Sequence, residues 1–541
     1  MEKSIAWWKR AIVYQIYPLS FKDSNDDGIG DIQGIISKLD YIKSLGVDVI
    51  WLSPIYKSPM DDNGYDISDY LKINPMFGTM EDAKQLIEKV HEKGMKIIMD
   101  LVINHTSDEH PWFIQSKKKD SSYRDYYIWR EKPSDIGSVF GGPAWTYDDT
   151  SDSYYFHLFS QRQPDLNWQH EPLRRDIYHI VNTWLDYGID GFRLDVIDLI
   201  GKDVDQKILS DGPYLETYLK ELYTTCFKDR DMMTVGEMPG LSIERASELT
   251  DENNGYLNMI FQFSHISLDE IPHQGKWALK DLDLIELKKV FGKAQTIFSK
   301  KGWNSLFLAN HDQPRVVSRY GSELYRYESA TMLATMIYGQ QGTPYIYQGE
   351  EIGMTGVAYE IDDYQDIETK NIYKILKAQG KSDHDIMASI HKKSRDNSRT
   401  PFQWNHTPYA GFSKTEPWLK VNPNYININV ENELSQEKSV LHFYKKLIKI
   451  RKDNQVFYDG IYQCLNENDP YLYAYVRKNQ DQTVLILCSF EKDEKIFDLL
   501  GLNIKQTLLS NQSFELLHGK IICPPYFAGI FLIGDESYAN D

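Results

Sequence analysis

The sequence predicts an α/β protein: a (β/α)8 barrel with an inserted loop-rich subdomain and a C-terminal antiparallel β-domain. Eight short apolar, β-rich runs recur at 13–21, 47–55, 96–105, 191–197, 233–238, 257–263, 305–312 and 343–349. Stretches of helical period, such as 80–93 and 171–187, lie between several of them. Strands that alternate with helices pair in parallel, and eight is the number that closes such a barrel. A third observation is where the carboxylates fall. Asp195, Glu237 and Asp312 end the fourth, fifth and seventh runs, on the barrel edge where loops hold functional groups.

The alternation breaks twice. Residues 106–170 are loop-rich and aromatic, too long for one loop, and read as an inserted subdomain. It divides the barrel into 1–105 and 171–459. From 460 to 541 the chain turns to short strands (YLYAYVRK, TVLILCSF, GKIICPP, YFAGIFLIG), which predicts a β-sandwich domain.

A net charge of −19 argues against nucleic-acid partners, which need a basic footprint. The 37 Tyr and 12 Trp supply flat amphipathic surfaces suited to neutral ligands such as sugars. No apolar run reaches the length of a membrane span, and the N-terminal stretch lacks the apolar core and small-residue cleavage site of a secretion signal. The four cysteines are scattered without CxxC spacing, as expected of free thiols in a reducing compartment. A cytoplasmic monomer acting on a small carbohydrate, without membrane or nucleic-acid partner, is the expectation.

Retaining cleavage of a glycosidic bond needs an ionised carboxylate as nucleophile and a protonated one for the leaving oxygen. Arg193 lies two residues before Asp195 and so on the same side of its strand, where it favours the charged form. Glu237 precedes Met238 and Pro239, an apolar setting that suits an acid/base with raised proton affinity. His105 and His311 are placed to donate to sugar hydroxyls, and Tyr65, on a barrel-top loop, to form a sugar platform. A lone Asp at a strand end is as readily a helix cap; three carboxylates, one Arg and two His on one edge are not explained that way.

A second cluster, Asp23, Asn25, Asp27, Ile29 and Asp31 around Gly28, places oxygen ligands at alternate positions of a turn, as a hard cation such as Ca2+ requires. It is no EF-hand, because Gly34 stands where the bidentate Glu belongs. A polar Gly turn without metal is the alternative.

Together these residues resemble the α-amylase superfamily of glycoside hydrolases, in its oligo-1,6-glucosidase and dextran glucosidase (glucan 1,6-α-glucosidase) branch. DLVINH (100–105), GFRLDVI (191–197), VGEMPG (235–240) and NHDQPR (310–315) look like the four family motifs in order, and QPDLN (163–167) like the fifth. The resemblance implies that Asp195 is the nucleophile, Glu237 the general acid/base and Asp312 the transition-state stabiliser. It implies that Asp62, Tyr65, His105, Gln163, Arg193, His311 and Arg399 hold the non-reducing glucose, with Asp62 and Arg399 closing the far end for exo action. It also supports a structural Ca2+ at 23–31. Val196 after the nucleophile resembles α-1,6-acting members. A compact stretch from Asp195 to Glu237, with Lys276 and Glu368 at the leaving site, resembles dextran glucosidases.

The implied activity is release of glucose from isomaltooligosaccharides or dextran. Alternatives are an oligo-1,6-glucosidase preferring isomaltose, a trehalose-6-phosphate hydrolase, or an inert transporter-associated glycan-binding subunit. Two departures stand out: Leu19 replaces a basic residue common in relatives, and the Arg-rich loop of sucrose isomerases is not evident after the seventh run.

Overall fold

A computed structural model of the chain describes residues 5–499 and 501–534; the ends of the stretches 1–105 and 460–541 assigned above, at 1–4 and 535–541, lie outside them. Eight parallel strands form one sheet: β1 Val13–Ile16, β2 Val49–Leu52, β3 Lys96–Leu101, β4 Gly191–Leu194, β5 Met233–Glu237, β6 Met259–Phe261, β7 Ser305–Leu306 and β8 Thr343–Tyr347. Their spatial order is β6-β5-β4-β3-β2-β1-β8-β7. The two edges meet through a parallel bridge between Ile260 and Asn304, with the Ser305 hydroxyl donating to the Ile260 carbonyl at 2.7 Å. The sheet is thereby nearly closed, as the alternation of runs predicts.

Both faces of each strand are apolar because both are covered. Val13, Val49, Trp51, Ile98, Met233, Val235, Met259, Phe261 and Tyr345 pack together in the lumen. Tyr14, Ile50, Leu52, Ile97, Met99, Phe192, Leu194 and Ile346 belong to the larger core shared with the helices. Since side chains alternate along a strand, Asp100, Glu237 and Asp195 continue the inward rows of Ile98, Val235 and Arg193. The register sets Arg193 beside both Asp100 and Val235. β4 can start so close to β5 only because residue 191 is glycine. Its φ is +146°, and a Cβ there would come within 1.8 Å of the Met233 carbonyl oxygen.

The seventh strand is shorter than the run that predicts it. After Leu306 the backbone leaves the sheet, and the Asn310 side chain accepts the Asp312 N–H at 2.8 Å, forming a turn that presents Asp312 upward. Within 106–170 a three-stranded antiparallel sheet appears, Trp129–Arg130, Ser153–Phe156 and Trp145–Asp148 in that order across it. The sequence shows there only an aromatic, loop-rich stretch. This segment returns to the barrel top through a bridge between His105 and Asp165.

Past residue 460 lie a five-stranded and a three-stranded antiparallel sheet. They enclose a separate core that includes Leu472, Leu485, Phe497, Ile521 and Phe531. Lys288, on the helix Leu284–Phe298, anchors this part to the barrel. Its buried ammonium donates to the carbonyls of Asn466, Asp469 and Leu472 at 2.5, 2.6 and 3.1 Å. Among the described residues no helix is long and apolar enough to cross a membrane.

Candidate active site

One guanidinium organises the barrel mouth. Arg193 is 1% exposed. Its Nη1 donates to Asp100 Oδ1 at 2.5 Å and to Asp195 Oδ1 at 2.6 Å, and its Nη2 lies 2.5 Å from Glu237 Oε2. Asp100 is held on its other side by Trp51 Nε1 at 2.8 Å and the Tyr65 hydroxyl at 3.2 Å. One positive charge thus serves three buried carboxylates.

This corrects two electrostatic expectations. Arg193 does not keep Asp195 simply ionised. Burial is the largest influence and pushes the Asp195 carboxyl up; Arg193 opposes it and Glu237 and Asp100 reinforce it, for a net position well above the ordinary carboxylate range. Nor is the setting of Glu237 apolar: its Oε2 meets Arg193 and the Val196 N–H, the latter at 3.2 Å. Met238 points away into the core and Pro239 is exposed, so neighbours in sequence are not neighbours in space. Val196 bends the chain between the two carboxylates. It adopts φ +35°, ψ +44°, a left-handed conformation that costs a β-branched residue about 1–3 kcal/mol and persists only where surroundings enforce it.

The opposite wall is a chain of ion pairs. Asp312 Oδ1 accepts Arg399 Nη2 at 2.6 Å and lies 3.4 Å from Arg395 Nη1, while Arg399 Nε donates to the His311 carbonyl at 2.9 Å. Arg395 Nη2 reaches Asp62 Oδ1 at 2.9 Å and Asp366 Oδ1 at 2.6 Å. Burial works against the charge of Asp312, but His311, Arg395 and Arg399 outweigh it and hold its carboxyl well below the usual range. Arg395 and Asp366 escaped the sequence reading, because they follow the last barrel strand, outside the run-and-edge pattern. The spacing of Arg395 and Arg399, four residues apart in RDNSR, is the signal for two guanidinia on one face.

Between the walls lie the polar aromatic groups. His311 is fully buried and stacks on Tyr65 with ring centres 5.0 Å apart. Gln15 Nε2 donates to its Nδ1 at 2.8 Å, so the proton sits on Nε2, 3.2 Å from Asp312 Oδ2 but without a well-aligned acceptor. That N–H faces the Asp312 carboxylate. His105 is engaged differently. Lys202 fixes the Asn104 amide at 2.7 Å, so Asn104 Nδ2 faces His105 Nδ1 at 3.1 Å and the ring donates from Nε2 to the Tyr65 carbonyl at 3.1 Å. It holds the Tyr65 loop. Gln163 Nε2 ties Asp62 Oδ2 at 3.2 Å to the same loop. At the rim Lys276 pairs with Glu368 at 2.6 Å, and Glu368 lies 3.7 Å from Arg395 Nε.

Asp62, Tyr65, His105, Gln163, Arg193, Asp195, Glu237, His311, Asp312 and Arg399 are therefore linked through direct or shared partners around one barrel mouth. Residues 15–460 match the family described as alpha amylase, catalytic domain. The chain belongs to the α-amylase family. This family member is a glycoside hydrolase. It is 49% identical to an oligo-1,6-glucosidase of Bacillus cereus, over 98% of this chain and all of that one. It is 48% identical to a glucan 1,6-alpha-glucosidase of Streptococcus pneumoniae, over 96% and 98%. The crystal structure of a Bacillus licheniformis trehalose-6-phosphate hydrolase superposes with a TM-score of 0.93 at 44% identity, covering 98% of this chain and 100% of that one.

Away from the mouth of this α-amylase family barrel, the loop 23–31 is tightly wound. Asp23 accepts the N–H groups of Asn25, Asp26 and Gly28, and Asp31 caps the helix Ile32–Ser37 through Gly34 N–H at 2.6 Å. The Asn25 amide and Asp27 carboxylate meet at 3.1 Å. Among the described residues no group of three or more His, Cys, Asp or Glu is gathered as a metal site. The loop fits a hard cation only with the Asn25 amide oxygen and Ile29 carbonyl added to the carboxylates, whose oxygens retain spare lone pairs.

Proposed function

We propose that the protein is an exo-acting, retaining α-1,6-glucosidase that releases glucose from the non-reducing ends of isomaltooligosaccharides and dextran fragments. The observation that carries this reading is the closed wall Asp62–Arg395–Asp366–Arg399–Asp312. A pocket sealed by ion pairs at one end admits a terminal sugar and turns away the middle of a chain. The same wall disfavours a phosphorylated sugar. Arg193, Lys276, Arg395 and Arg399 are each already paired with carboxylates, whereas a phosphate needs donors with charge to spare.

Asp195 and Glu237 both bond to Arg193, which suits the short carboxyl separation of about 5–5.5 Å that double displacement uses. Double displacement needs a proton on Glu237 and none on Asp195. In that state Asp195 attacks the anomeric carbon as the leaving oxygen takes the proton. Glu237 then takes a proton from the water that opens the glucosyl ester. Asp312, ionised, and the His311 Nε2–H hold sugar hydroxyls as positive charge develops on the ring.

Initial rates on isomaltose, panose, isomaltohexaose, maltose and trehalose-6-phosphate test the reading. Fastest turnover of isomaltohexaose is expected; activity confined to trehalose-6-phosphate overturns it. Preference for isomaltose would instead favour the oligo-1,6-glucosidase reading, the name carried by the B. cereus relative. Val196, rigid at its β-carbon, stands where the leaving sugar departs. Val196→Thr is expected to raise the maltose-to-isomaltose ratio of kcat/KM roughly tenfold, within the range one pocket contact provides.

Asp23, Asn25, Asp27 and Asp31, with the Ile29 carbonyl, would hold a structural Ca2+ that fixes the loop and takes no part in the reaction. At a hundredfold excess over Kd such an ion adds about 2.7 kcal/mol. Chelation is then expected to lower Tm by about two degrees while kcat measured below the transition stays unchanged. The four cysteines are free, which supports a cytoplasmic address. A monomer is the expected assembly.

A further inference from the structure

We propose that Asp198 is a positioning residue for Glu237, locking the turn that carries Asp195 to the loop that leaves Glu237. The inference rests on the acid/base role of Glu237 proposed above.

Asp198 sits in the short 3-10 turn Ile197–Leu199, directly after the left-handed Val196, and is 1% exposed. Two other segments close on it. The Ser210 hydroxyl donates to Oδ2 at 2.5 Å, the Asp211 N–H donates to the Asp198 carbonyl at 3.2 Å, and the backbone of Gly240 packs against the carboxylate. Gly240 lies three residues beyond Glu237. Contact there is so close that a Cβ on Gly240 would stand 2.1 Å from Ser210 Oγ and 3.0 Å from Asp198 Oδ2. The nucleophile turn, the 210–211 segment and the acid/base loop thus share one carboxyl. Its other oxygen, Oδ1, is buried without a hydrogen-bond donor.

An under-satisfied carboxyl is a poor structural rivet, since a buried polar atom without a partner costs free energy. It gains a purpose from what faces it. Glu237 acts on Asp198 as a like charge and leads on to Arg193 and Asp195; Asp211, on the adjoining segment, is paired with Arg245 at 3.3 Å. Burial pushes the Asp198 carboxyl up to about 7, with Ser210 and Gly240 holding it down and Glu237 raising it. As pH rises through neutrality, Asp198 gains a negative charge facing Glu237. A negative charge on this clamp disfavours further ionisation around it and so bears on the alkaline limb of activity.

The test is the pH profile of kcat/KM for wild type, Asp198→Asn, Asp198→Ala and Glu237→Gln, with Tm measured for each. Asn keeps an acceptor for Ser210 but carries no charge. Its alkaline limb is expected to move about half a pH unit or more toward acid, with kcat at the optimum and Tm close to wild type. Ala loses clamp and charge, and kcat is expected to fall at least tenfold at similar KM. An Asp198→Asn profile superimposable on wild type, with Glu237→Gln inactive, overturns this inference alone. An active Glu237→Gln overturns the acid/base assignment beneath it.

Discussion

Replacing Asp195 by Asn is expected to lower kcat by a factor on the order of 10^4–10^6, the loss seen when one member of a catalytic unit is removed. The protein should fold normally and melt no lower than wild type. The reasoning for stability is electrostatic. Asp195 is one of three buried carboxylates competing for the Arg193 guanidinium, and burial already drives its carboxyl well above the usual range. A group whose folded-state pKa is raised disfavours the native state as pH rises from the unfolded value toward the folded one. A neutral amide removes that dependence, so the gain over wild type should be larger at neutral pH than in mild acid. Single-turnover kinetics and melting curves at two pH values check both halves. Near-normal turnover would exclude Asp195 as the nucleophile.

Replacing Arg193 by Met should act in the opposite sense on stability. It leaves Asp100, Asp195 and Glu237 buried with no common counter-charge, and breaking a buried ion pair from one side costs about 3–5 kcal/mol. Part of the loss is recovered if the carboxylates take up protons. The Tm deficit is therefore expected to shrink as pH is lowered. Activity should be lost as well, because Asp195 and Glu237 no longer share an anchor. Arg193→Lys is not a mild version: an ammonium is a point charge and cannot reach three carboxylates in the plane of a fork. Urea titrations at neutral pH and in mild acid measure the deficit; a variant as stable as wild type would show that the carboxylates do not depend on Arg193.

The barrel could be read from the chain because strands covered on both faces must be apolar throughout, and the carboxylates stand out where each apolar run stops. Val235-Gly236-Glu237 is such a boundary. The same rule failed at Glu237 itself: Met238, adjacent in the chain, belongs to the opposite face, while Arg193, the true neighbour, comes from another strand. Tyr65 was reached from its place on a barrel-top loop, and Asp62 only through the resemblance to relatives. Arg395 and Asp366 were missed because their role depends on a long excursion after β8 folding back over the mouth, which periodicity cannot encode. The small sheet in 106–170 was hidden for a related reason, with strands of two to four residues carrying too little alternation to register.

The bond between Arg395 and Asp62 spans 333 residues. The pocket wall is therefore among the last things a growing chain can complete: a ribosome must release residue 395 before Asp62 meets its partner. At about 5–20 residues per second, tens of seconds of synthesis separate the two, during which the barrel's early strands stand beside an open, uncompensated Asp62. Hydrolytic activity is consequently a report on the whole barrel rather than on any portion of it. Turnover should emerge in one step late in refolding, and chains halted before residue 395 should bind no sugar, however much of the sheet they have formed.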